Sequence, residues 1–137
     1  KVIPQLLENI PQYDVVIASR YVSGGKDKRL FMRVLASKLV NLLAYIFLGL
    51  KVKDLTSGFY AVKKEVFSRV KLITTGHAEY CIKFSYDSVK KGFKIKEVSY
   101  VFSDRKKGKS KTTSSLSNFL YYGYLCGKEI IKLSVGK

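Results

Sequence analysis

Apolar residues in this chain come in blocks whose spacing alternates between helical and extended, with short polar loops between them. Ile3, Leu6, Leu7 and Ile10 recur every three or four residues, so a helix is predicted over 3–10, closed by Pro11. The continuous run of 14–19, Asp14-Val15-Val16-Ile17-Ala18-Ser19, predicts a strand buried on both faces. The longest helical pattern covers 30–50, with Leu30, Phe31, Val34, Leu35, Leu39, Leu42, Leu43, Ile46, Phe47 and Leu50 on several sides. Such a helix either crosses a core or lies against lipid. Because Arg33 and Lys38 interrupt it, its uncharged part is short for a bilayer, and the core is the default expectation. A strand follows over 58–62, then a short helix over 64–70 and a helix over 77–91 that Gly92 stops. Weak alternation over 93–102 predicts a further strand, and 112–133 a last helix rich in tyrosine. Helix, buried strand and glycine-bearing loop in this order predict an α/β fold.

The polar islands between these blocks carry the candidate chemistry. Ser19-Arg20-Tyr21-Val22-Ser23-Gly24-Gly25 leaves the first strand at its carboxyl end, where ligands gather in α/β sheets. Gly24 and Gly25 let backbone approach a ligand closely. Arg33 and Ser37 lie four apart on one helical face. Two guanidinium groups, of Arg20 and Arg33, converging with a hydroxyl would make a phosphate cradle. Surface salt bridging is the plainer reading of either arginine alone. Asp54-Leu55-Thr56-Ser57-Gly58-Phe59 is either a turn capped by Asp54 or a loop that touches a sugar. Asp104-Arg105 and the run Gly108-Lys109-Ser110-Lys111 form a cationic loop able to close over an anionic leaving group, or simply a solvated turn.

Composition narrows the class. The 137 residues suit one compact domain. Lysine and arginine total 26 against 10 acidic residues, so the formal charge is +16. Such an excess calls for a negative partner: nucleic acid, an anionic membrane or a phosphorylated substrate. Cys81 and Cys126 lack metal-ligand spacing and fit small buried residues in a reducing compartment. Lys1-Val2-Ile3-Pro4 lacks the apolar run of a secretory leader, and a start inside a helical pattern is expected of a fragment. His77 has no Ser or Cys partner at a diagnostic spacing, so a catalytic triad is not expected. Glu79 and Asp87, eight apart, could share a helical face, and nothing else marks them as a glycosidase pair. Gly24-Gly25-Lys26 lacks the preceding glycine of a P-loop.

Taken in order, these islands resemble the second half of a family 2 glycosyltransferase of the dolichol- or polyprenol-phosphate mannosyltransferase type. The match runs from Ile3-Pro4-Gln5-Leu6-Leu7 through Ser19-Arg20-Tyr21 with Gly24-Gly25, then Arg33, Ser37 and Asn41, then the Asp54–Phe59 segment. It closes on Glu97-Val98 and Phe102-Ser103-Asp104-Arg105 with Gly108-x-Ser110-Lys111. The resemblance implies an incomplete GT-A, Rossmann-like α/β domain over 1–111, followed by an amphipathic, membrane-associated helix over 112–137. It implies that Arg20, Arg33 and Ser37 hold the lipid phosphate. Arg105 would bind phosphates in the active site, with Ser110 and Lys111 on the closing loop. Gly24, Gly25, Asn41, Asp54, Thr56, Ser57 and Gly58 would line the substrate side.

The implied reaction moves mannose or glucose from a nucleotide sugar, typically GDP-mannose, to a prenyl phosphate with inversion, at the cytoplasmic face of a membrane. A divalent metal, Mg or Mn, would be held by an Asp-x-Asp loop preceding Lys1, so no metal ligand is expected within this chain and the fragment alone is expected to be inactive. A carboxylate common in the family near Lys83 is replaced here, with Glu79 close by. Two other readings stand beside this one. Charge and interleaved tyrosines suit a nucleic-acid module, although no helix-turn-helix, zinc-finger or RRM signature occurs, and nucleic acid is not the expected partner. A related transferase with a polysaccharide acceptor is the other.

Overall fold

The structure, a computed structural model, describes residues 2–73, 76, 78–103 and 116–136. His77, Arg105, Ser110 and Lys111 lie outside the described residues. The elements run α1 (Val2–Asn9), β1 (Val15–Ser19), β2 (Lys26–Asp27), α2 (Phe31–Leu48), β3 (Tyr60–Val62), a 3-10 helix (Lys64–Ser68), α3 (Glu79–Lys90), β4 (Ile95–Ser99), β5 (Val101–Phe102) and α4 (Leu116–Val135). This is a mixed α/β architecture.

The main sheet has the order β3-β1-β4. β1 lies at its centre, antiparallel to β3 (Val15 opposite Val62) and parallel to β4 (Val15 opposite Ile95, Ser19 opposite Ser99). All five β1 residues are buried, as the unbroken apolar run predicts. The alternation of a strand divides them between two cores. Val15 and Ile17 face the larger one, built with Ala44 and Leu48 of α2, Ile82 and Phe84 of α3, and Ile130 of α4. Val16 and Ala18 face the smaller one, closed by Leu6 of α1 with Val98 and Tyr100.

Two expectations need correction. The strand foreseen over 93–102 is two strands with different partners. β4 pairs with β1 as far as Ser99, and β5 pairs with β2, Lys26 opposite Val101. The change occurs at Tyr100, whose N–H donates to the Ser19 carbonyl while its own carbonyl accepts from Lys26 N–H at 3.0 Å. The second correction concerns α2. It is not a core helix: only Asn41, Ala44 and Leu48 are buried among its 18 residues. Phe31, Met32, Leu35, Leu39, Leu42, Tyr45, Ile46 and Phe47 are exposed. α4 packs along one side of the helix, and that side alone enters the core. α2 is the one described helix with the length and composition to cross a membrane. It ends at Gly49, whose φ of 66° closes the last turn with a bond from its N–H to the Tyr45 carbonyl.

Candidate functional site

The site forms where β1 ends beneath α2. Arg20, the first residue past β1, is 8% exposed, which is unusual for arginine and requires partners. Asp54, fully buried, supplies them. Its Oδ2 accepts from the Arg20 backbone N–H at 2.9 Å and from Nε at 2.8 Å, and its Oδ1 accepts from Nη2 at 2.6 Å. This fork is the bidentate geometry that suits guanidinium and carboxylate. Burial alone would depress the Arg20 pKa, but the bonds and charge of Asp54, with Tyr21 and Asp27, leave it raised. Asp54 thus does not cap its own turn, as one sequence reading had it; it clamps a residue 34 positions away. The turn is held instead by Glu97 on β4, whose carboxylate accepts from Lys53 and Asp54 N–H, each at 2.9 Å.

Thr56 is the junction of the network. Its Oγ1 lies 2.8 Å from Arg20 Nη2, 3.0 Å from Asn41 Nδ2, 3.0 Å from Ser37 Oγ and 3.2 Å from Asp54 Oδ1. Asn41 also accepts from Leu55 N–H at 2.7 Å, so it pins α2 onto the Asp54 loop. Ser57 faces the other way and donates to the Ala18 carbonyl at 2.7 Å.

Arg20, Arg33, Ser37, Asn41, Asp54 and Thr56 are therefore gathered in one region, although they come from three separate stretches of chain. Arg20, Arg33, Ser37 and Thr56 line one cavity of about 620 Å³ between α2 and α4, whose remaining walls include Val40, Leu43, Phe119, Leu120 and Tyr124. Asn41 lines a second cavity on the far side of Arg20. Gly24, Asp54, Ser57 and Gly58 line neither of these two. Gly25 does make a close approach, but to its own chain: a Cβ there would sit 2.6 Å from the Ser19 carbonyl oxygen. At Gly58 a Cβ would meet only ordinary contacts.

Two residues of the site were not singled out from sequence. Asp27 bonds Arg29 through Nε at 2.8 Å and approaches Arg20 Nη1 at 3.4 Å. Arg29 lines the larger cavity beside Arg33. Burial would raise the Asp27 pKa, yet the hydrogen bonds and charge of Arg29, with Arg20, hold it below the ordinary carboxylate value. Phe102 completes this corner, its ring 5.9 Å from the Arg20 guanidinium and 5.2 Å from that of Arg29. A spacing of two between Asp27 and Arg29 carries no signal by itself; only the pairing of β2 with β5 brings Phe102 to them.

Among the weaker candidates, Cys126 lines the larger cavity. Lys83 donates to Asp87 at 2.7 Å one turn away on α3, and Glu79 opens the same helix. Cys81 and Cys126 are buried free thiols; burial pushes Cys81 up and Cys126 up to about 12. No group of three or more His, Cys, Asp or Glu that could hold a metal occurs among the described residues.

No family model matches the chain. Three characterised relatives are similar to it. The polyprenol monophosphomannose synthase of Mycolicibacterium smegmatis is 32% identical over 105 residues, 74% of this chain and 40% of that protein. The dolichol-phosphate mannosyltransferase of Pyrococcus furiosus is 39% identical over 118 residues, 81% of this chain and 32% of that protein. The undecaprenyl-phosphate mannosyltransferase of Micrococcus luteus is 30% identical over 117 residues, 83% of this chain and 48% of that protein. The chain spans less than half the length of each of these relatives. Within the shared region the resemblance to prenyl-phosphate mannosyltransferases is thus borne out, and the chain is related to glycosyltransferases.

Proposed function

We propose that this relative of the prenyl-phosphate mannosyltransferases is the acceptor-binding part of a GT-A type enzyme that transfers mannose from a nucleotide sugar, GDP-mannose, to a prenyl phosphate with inversion. One observation carries the reading. A single cavity joins a floor of three guanidinium groups and a hydroxyl (Arg20, Arg29, Arg33, Ser37) to walls made of apolar α2 and α4 side chains. A phosphate monoester fits the floor and a prenyl chain fits the walls.

The chemistry such a site needs is positioning. The second pKa of a phosphate monoester is about 6, so the acceptor is already largely dianionic at neutral pH and needs no base. In the proposed reaction an oxygen of this phosphate attacks the anomeric carbon of the donor, forming the new glycosidic bond as the bond to the nucleoside diphosphate breaks. Arg33 and Ser37 would hold the attacking phosphate. Arg20, fixed by Asp54, would present the one N–H of Nη1 that Asp54, Thr56 and Asp27 leave over, at a defined angle with little reorganisation. A divalent metal, which the family resemblance implies, finds no ligand set among the described residues, and no step is assigned to it. The exposed apolar face of α2 supports work at a membrane surface, which we place at the cytoplasmic face. The tyrosines of α4 and its apolar wall residues support the same placement for the last helix.

The test uses the complete protein, GDP-mannose and a short prenyl phosphate. Arg33→Gln should lower kcat by a factor of about 10²–10³ while the circular dichroism spectrum is unchanged. Wild-type activity in that variant, or transfer to a glycan in preference to the prenyl phosphate, would refute the reading.

A further inference from the structure

The second cavity, about 530 Å³, opens on the other side of Arg20, between α2 and the loop that links β1 to β2. Its size is that of a small-ligand site. Lys26, Lys38 and Lys53 line it, one each from β2, α2 and the segment before Asp54. None of the three has an ion-pair partner among the described residues. The one carboxylate in the lining, Asp27, is already committed to Arg29 and Arg20. Asn41, also in the lining, is committed to Leu55 and Thr56. The cleft therefore presents three unneutralised ammonium groups and little that would compete for them. Its apolar lining comes from Val34, Leu42, Tyr45 and Val52. Leu42 and Tyr45 are 54% and 57% exposed, so they belong at once to the cleft wall and to the apolar outer face of α2. A ligand held here by its anion has an apolar surface along which to leave.

We propose that this cleft holds the phosphodiester of an anionic membrane lipid, with Lys26, Lys38 and Lys53 around the phosphate and the acyl part passing over Leu42 and Tyr45. The proposal rests on the membrane-surface part of the function proposed above and adds a second phosphate site, distinct from the Arg33–Ser37 cavity. A soluble phosphate ester would use the same ammonium groups, so the experiment separates the two sources.

Binding of the complete protein is measured on vesicles of phosphatidylcholine alone and of phosphatidylcholine with a minor fraction of phosphatidylglycerol. The wild type should prefer the anionic vesicles. Lys26→Gln, Lys38→Gln and Lys53→Gln together should reduce that preference about tenfold. A control with the same loss of charge outside both cavities, Lys64→Gln, Lys71→Gln and Lys94→Gln, should keep most of it. Should the triple variant fail to fold, Lys38→Gln alone should give a smaller loss in the same direction. Equal losses in the two triple variants would show diffuse electrostatics and overturn the site. Release from the vesicles by inorganic phosphate or glycerol phosphate would assign the cleft to a soluble ester and overturn the lipid. Wild-type transfer to a short prenyl phosphate in detergent is scored separately: its absence refutes the function, whereas the vesicle preference alone decides the cleft.

Discussion

α2 and α3 invert the ordinary relation between composition and burial. α3 carries Glu79, Lys83, Asp87 and Lys90 in 12 residues, yet buries Cys81, Ile82, Phe84, Ser85, Tyr86 and Ser88. α2 carries only Arg33 and Lys38 in 18 residues, yet buries just Asn41, Ala44 and Leu48. What lies over each helix explains the difference. α3 is held between the sheet side, where Phe84 meets Tyr60 and Phe67 at ring distances of 5.9 and 6.1 Å, and α4. α2 meets α4 on one side, and beneath it lies a floor of hydrogen bonds through Asn41, Ser37 and Thr56. One helix is anchored by apolar contact on most of its surface; the other joins a narrow apolar seam to a polar floor and keeps most of its grease outside. The lesson is that apolarity states what a surface avoids, and only topology states where water is excluded.

The comparison is broken most severely at its electrostatic anchor. Asp54→Ala leaves the Arg20 guanidinium buried without its partner and should cost about 3–5 kcal/mol, read from urea unfolding of the complete protein. A loss no larger than that of a surface substitution would mean that α2 is not held from below. The next test sets the two helices side by side. Ile82→Ala on α3, where the side chain is 0% exposed, should cost about 2–5 kcal/mol. Ile46→Ala on α2, 61% exposed, should change stability by no more than about 0.5 kcal/mol while weakening vesicle binding. Similar costs at both positions would erase the distinction.

The smallest effect is in acid. The folded-state pKa of Asp27 lies below its ordinary value, so the stability it contributes is present above the ordinary carboxylate range. That contribution is lost from about pH 4 downwards as the folded form takes up its proton. Asp27→Asn should flatten the acid limb of the unfolding midpoint, whereas a limb as steep as that of the wild type would assign it to other carboxylates.

Much of the architecture was legible along the chain because each element carried its own periodicity. The β1 run, the α1 spacing and the Gly92 stop after α3 all act locally. The polar floor was half legible. Arg20, Ser37, Asn41 and the Asp54 loop stood out by residue type, but the bond between Arg20 and Asp54 spans 34 positions and has no local trace. Asp27 and Arg29 were hidden for the same reason, since β2 is two residues long and exists only through its pairing with β5. The fate of α2 was illegible in principle, because core and lipid make the same demand on a side chain. The Arg105, Ser110 and Lys111 loop lies outside the described residues, so the cationic cover expected over the site enters none of this geometry.

Thr56 has a consequence for how the floor responds to a visitor. Four polar atoms crowd its hydroxyl oxygen, but a hydroxyl can give one proton and take two. Arg20 and Asn41, both givers, fill the two receiving places, so the single Thr56 proton must go to Asp54 or to Ser37. In neither arrangement does Thr56 consume the hydrogen of Ser37. That hydrogen can swing to an arriving oxyanion without any other bond to Thr56 being broken, so the floor can greet an anion by turning one rotor.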